Sequence, residues 1–213
     1  MENMTIILFI CVAVPMLPVV GLLSDKKSKL FLAYVLVGLM ICLVAAEVNG
    51  LLLDLCGGDM HYVTTNLAPI AEEILKALPV LYYAWLFSDD RDTLLAISFA
   101  DGLGFAMLEN LIILTQHIET VSIPWAFSRG IGAALMHSAC TACVGMGISI
   151  IRKRRKLFYC GTCSLLIAAI IFHAIFNLLV QSEYRFFAFL LPVLLYIPQI
   201  RLTWERHRKT GKN

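Results

Sequence analysis

An all-α bundle of about seven membrane-spanning helices is the predicted fold class, on three observations. Hydrophobic residues make up 60% of the chain and charged ones 15%, and the mean hydropathy is +0.82, far from the balance of a water-soluble domain. Stretches of about 20 apolar residues, the length that crosses a bilayer, recur from end to end. Basic residues gather in alternate connections, the bias that orients helices in a membrane.

The first apolar stretch, residues 4–23, is preceded by Glu2 and followed by Lys26, Lys27 and Lys29. A cleaved signal peptide has the opposite charge order, so this segment reads as a retained span with the N-terminus outside. The second span covers 30–55, with Glu47 and Asp54 near its outer end. The third, 67–87, is apolar except for Glu72, Glu73 and Lys76, and 93–115, 125–151 and 158–180 follow. A seventh segment, 186–200, is short and holds Pro192 and Pro198, so a re-entrant segment is its alternative.

Threading seven spans from an outside N-terminus puts Lys26, Lys27, Lys29, Arg91, the run Arg152 to Lys156, and Arg201, Arg206, Arg208, Lys209 and Lys212 on the cytoplasmic side. Arg185 alone falls in an outer loop. The basic groups are expected to fix topology and touch anionic lipid, and nucleic acid is not an expected partner. With no linker, repeat or low-complexity tract, residues 1–213 form a single integral-membrane domain.

The third span is where chemistry is expected. A charged group near the middle of a membrane helix costs about 2.5 to 3.5 kcal/mol, and each large aliphatic residue returns only about 0.3 to 0.6. Glu72, Glu73 and Lys76 therefore need polar partners on other helices, and Asp101, Glu109, Arg129, His137, His173 and Asn177 are available. At about 1.5 Å per residue, Glu72, Glu73, Glu109 and His173 lie roughly 8 to 12 Å below the outer helix ends, with Asn177 one turn nearer the surface and His137 nearer the midplane. Such a layer can hold a metal, relay protons or hydrolyse a bond. The plainer reading makes Glu72, Glu73 and Lys76 a buried ion cluster that fixes helix register, and each histidine a helix-to-helix hydrogen-bonding group. Asp101 is expected to pair with Lys76 or Arg129 as a structural residue.

Two further patterns carry less. Cys140-x-x-Cys143 and Cys160-x-x-Cys163 have the spacing of a four-thiolate zinc module, but they differ in depth by roughly 9 Å or more and read as packing residues. Gly102, Gly104, Gly130, Gly132, Gly145 and Gly147 are small positions that allow close helix approach.

Four motifs in order, Glu72-Glu73-x-x-Lys76, Phe105-x-x-x-Glu109-Asn110, a lone His137 and His173-x-x-x-Asn177, resemble those of the PrsW family of intramembrane proteases, related to the type II CAAX prenyl endopeptidases. The resemblance covers residues 68–177. The CAAX enzymes carry His where this chain has Glu109, the residue expected in the PrsW branch. The resemblance implies a protease of the bacterial plasma membrane, C-terminus cytoplasmic, that makes the first, extracytoplasmic-side cut in a single-pass anti-sigma factor.

It also implies roles. Glu72 is expected to be the general base, with Glu73 either pairing with Lys76 or joining the chemistry and Asn177 either donating to the oxyanion or orienting a ligand. His137, His173 and Glu109 are expected to hold a zinc ion, although a metal-free carboxylate mechanism stays open. An opening towards the outer leaflet near Glu72 would admit water and substrate. Against the protease stand a proton-coupled transporter, for which an internal repeat is missing, and a non-catalytic scaffold like the polytopic subunit of gamma-secretase.

Overall fold

The computed structural model describes residues 2–151, 155–193 and 196, all of it helix, turn and connecting loop with no strand among the described residues. In chain order the helices are α1 (Glu2–Leu22), α2 (Lys26–Leu55), the single turn α3 (Met60–Tyr62), α4 (Ala68–Leu86), α5 (Arg91–Gln116), α6 (Ile123–Ile148) and α7 (Arg155–Val180), with a π-helical turn at Val63–Leu67 leading into α4. Residues 185–193 are helical as well.

Five of these helices, α1, α2, α5, α6 and α7, are long and apolar enough to cross a membrane. The expected third span is α4, whose 19 residues carry Glu72, Glu73 and Lys76 and which is not among those five. The seventh is described only in part. The run Arg152–Arg154 and the basic residues from Arg201 onward lie outside the described residues.

Helix ends follow from side-chain chemistry. Asp25 caps α2 by accepting from the Ser28 backbone N–H at 2.8 Å and its hydroxyl at 2.6 Å, bonds that hold the Asp25 carboxyl below its usual range. Asp90 caps α5 through the Thr93 N–H at 2.9 Å, the ordinary use of a short acidic side chain at a helix start.

Helix α5 is the axis of the bundle, packed along α2 on one side and α6 on the other, while α4 leans on α2, α5, α6 and α7. Glycine makes these crossings close. A Cβ at Gly38 or Gly104 would run into the facing backbone of α5 or α2, one at Gly102 would lie 2.7 Å from Ser138 Cα of α6, and one at Gly147 would lie 2.8 Å from Thr162 Cα of α7. Gly132 and Gly145 are equally crowded, by Phe189 and Ser98, whereas Gly130 faces open space and serves no close approach.

The exterior is apolar, and the interior sets a group of buried polar and charged side chains within an apolar core, a distribution unlike that of a soluble protein. On α4 the pattern is read directly from the period of the helix. Ile70, Ile74, Leu78, Tyr82 and Trp85 face outward, and Glu72, Glu73, Lys76, Val80 and Ala84 are buried. Asp101 is buried as well, but with neither expected partner. Lys76 is engaged by Glu73 and Arg129 by Glu109, and both Asp101 carboxylate oxygens lack a hydrogen bond among the described residues. The cysteines are free: Cys140 is buried against Met136 and the Ala169 carbonyl as a packing residue, while Cys160 and Cys163 are exposed and do not pack in the core.

Candidate active site

Helix α4 delivers its charged face into the angle between α5, α6 and α7. Glu73 and Lys76, three residues apart and therefore on one face, pair at 2.6 Å with both side chains fully buried. Glu73 Oε1 also accepts from His173 Nδ1 of α7 at 2.8 Å. With its hydrogen on Nδ1, the His173 ring leaves Nε2 bare. The Lys76 ammonium donates to His137 Nδ1 of α6 at 2.9 Å, so the neutral His137 ring carries its hydrogen on Nε2, which donates to Glu109 Oε2 at 3.2 Å. The two rings stand edge to face with centroids 4.8 Å apart, and Phe105 of α5 closes one side, its ring 4.9 Å from His137 and 4.7 Å beneath Lys76 Nζ.

Glu72 points to the same place from the next position on α4. Its Oε1 accepts from Asn49 Nδ2 of α2 at 2.8 Å, and its Oε2 lies 3.7 Å from His173 Nε2. Both of those facing atoms are buried without a hydrogen-bond partner in the structure. Buried polar atoms are nearly always satisfied, so two orphans aimed at each other mark a place built for a further group. Glu72, His137 and His173 each offer a ligand atom within 4.8 Å of the other two. Ligands around a tetrahedral zinc stand about 3.3 Å apart, given bonds of about 2.0 to 2.1 Å, so the three atoms could hold a metal after closing up by at most about 1.5 Å. The outer contacts of two of them fit: the His173 Nδ1 hydrogen and the Glu72 Oε1 are bonded away from the centre, the arrangement that orients metal ligands.

Glu109, the expected third ligand, sits beside this group rather than in it. Its Oε2 is 3.2 Å from His137 Nε2 and 3.5 Å from Arg129 Nη2. It is the most exposed acid of the cluster, with 23% of its side chain exposed against 7% for Glu72 and none for Glu73.

Asn177 is likewise elsewhere. In the π-helical turn the Ala68 N–H bonds to the Val63 carbonyl five residues back, and in that register the Thr64 carbonyl would be served by residue 69. Position 69 is proline and has no N–H. Asn177 Nδ2 takes its place at 3.0 Å, so the amide expected at an oxyanion ties α7 to the turn that launches α4. Near Glu72, Ile70 is exposed while Leu108 of α5 is buried, and the cluster's most accessible side chain is Glu109. Sequence reasoning missed Asn49, whose only signal is a single amide among the apolar residues of α2.

No curated protein and no solved structure matches the chain. The model describing the PrsW family intramembrane metalloprotease matches residues 26–203, a stretch that contains every side chain of the cluster, and the chain therefore belongs to that family and is an intramembrane protease.

Proposed function

We propose that this protein is a zinc-dependent endopeptidase of the bacterial plasma membrane, N-terminus outside and C-terminus cytoplasmic, that makes the first, extracytoplasmic-side cut in a membrane-anchored anti-sigma factor. The observation that carries the metal is the facing pair of unsatisfied atoms, Glu72 Oε2 and His173 Nε2, with His137 completing the group. His137, His173 and Glu72 would hold the ion, which supplies Lewis acidity towards the scissile carbonyl.

The roles expected of the two outer carboxylates are exchanged in this reading. Glu72 is a ligand because it converges with the histidines, and Glu109 is the base because it combines contact with His137 and access to water. Glu109 takes a proton from the attacking water as its oxygen adds to the peptide carbonyl carbon. It then returns that proton to the amine nitrogen as the carbon–nitrogen bond breaks. Arg129, 3.5 Å away, aims Glu109. Glu73 fixes the His173 ring through Nδ1, Lys76 offsets the Glu73 charge, and Asn49 fixes the Glu72 carboxylate.

The test is a comparison of two isosteric variants of the full chain purified in detergent, with bound metal counted and cleavage of a single-pass membrane substrate followed with and without chelator. Glu72→Gln should lose metal and activity together. Glu109→Gln should keep metal while kcat falls by about 10² to 10⁴. Metal loss confined to Glu109→Gln would restore the opposite assignment, and chelator-resistant activity without stoichiometric metal would remove the ion from the mechanism.

A further inference from the structure

Arg185 is the one basic residue that the charge bias leaves on the outer side, and the catalytic cluster makes no use of it. In the structure it stands at the rim of a cavity of about 460 Å³ at the end of the bundle where α5 passes into α6. Ile113, His117, Trp125 and Phe186 form much of the wall, and Arg129 lies in its floor. No Asp or Glu is among the lining residues. Arg129 is more than nine-tenths buried, braced by the Trp125 ring at 5.9 Å, with one nitrogen, Nη2, 3.5 Å from Glu109. Its Nε is buried without a hydrogen-bond partner. With the guanidiniums of Arg129 and Arg185 both in its lining and no lining carboxylate, the cavity is complementary to an anion.

We propose that this cavity is a substrate subsite that selects an acidic side chain of the polypeptide to be cut. The inference rests on the protease reading and adds to it the chemical class of the recognised residue. Position supports a peptide occupant over a lipid headgroup, because the floor of the cavity is continuous with the catalytic cluster: Arg129 touches Glu109, and Glu109 touches His137. Arg129 and His137 are eight residues apart on one helix, about 12 Å. Extended chain covers that distance in three or four residues. The acidic residue therefore lies within about four positions of the scissile bond, on the side facing the α5–α6 connection.

The test uses the full chain in detergent and single-pass substrates carrying Asp, Asn or Lys at each of those four positions, one at a time. Wild type should cleave the best Asp substrate about tenfold or more faster in kcat/KM than its Asn counterpart, with the difference mainly in KM. Arg185→Glu, at an exposed position, should erase that preference and favour Lys; Arg129→Gln should flatten it. Because Arg129→Gln also disturbs Glu109, binding of labelled Asp and Asn peptides is measured in parallel on the inactive Glu72→Gln protein with and without Arg185→Glu. Asp-selective binding there without cleavage of any substrate would keep the subsite and refute the protease reading. Equal handling of Asp and Asn by wild type, a preference untouched by Arg185→Glu, or competition by anionic lipid micelles in place of acidic peptide would overturn the proposal.

Discussion

Removing Lys76 alone should injure the protein more than removing Lys76 and Glu73 together. Lys76→Met leaves the Glu73 carboxylate fully buried with only the His173 N–H, 2.8 Å away, to answer it. Breaking one side of a buried pair costs about 3 to 5 kcal/mol, which lowers the folded fraction by roughly 10² to 10⁴. Glu73→Gln keeps an acceptor for both neighbours but strands the Lys76 ammonium. In the double variant both charges are gone, and what remains is about one or two neutral hydrogen bonds at about 1 kcal/mol each. The cycle should therefore show a coupling of at least about 3 kcal/mol. Reversible unfolding in mixed micelles, followed by tryptophan fluorescence, measures all four corners. Additive effects would mean that the two groups do not share a charge-balanced site, and would undo the account of why α4 tolerates them.

Three other perturbations have defined outcomes. Gly102→Ala sets a Cβ 2.5 Å from the His137 carbonyl oxygen and should cost about 1 to 3 kcal/mol, while Gly130→Ala meets open space and should be neutral or gain up to about 1 kcal/mol; the same unfolding assay separates them. Asn49→Ala removes the 2.8 Å bond to Glu72 and should weaken metal retention about 10- to 100-fold, read by equilibrium dialysis against a chelator. Asn177→Ala breaks the bond to the Thr64 carbonyl and should lower stability by about 1 to 3 kcal/mol with kcat changed by less than about tenfold; a kcat loss above about a hundredfold at unchanged stability would return Asn177 to the chemistry.

What could be read without coordinates was whatever depends on depth. Charges in an apolar run announce a buried polar site, and counting residues from the helix ends brought Glu72, Glu109, His137 and His173 to one region. Direction around each helix axis is harder, because it depends on crossing angles that the close contacts at Gly38, Gly102 and Gly104 set. That is why Glu72, and not Glu109, converges with the two histidines. The position of Asn177 was hidden for a different reason: its partner is a carbonyl 113 residues away, orphaned by Pro69, and no local pattern connects the two. Asn49 was missed because only the lean of α4 against α2 makes it a neighbour of Glu72.

The polar inner face of α4 bears on how the protein is made. Its three charged side chains roughly cancel the gain from its apolar ones, so α4 emerges from the ribosome with little tendency to stay in lipid. The groups that satisfy Lys76 and Glu73 belong to α6 and α7, which are synthesised later. Stable integration of α4 and completion of the catalytic group thus become the same event, and a chain stopped after α5 holds no working hydrolase. Protease protection of α4 in such truncated chains, equal to that in the finished protein, would break that link.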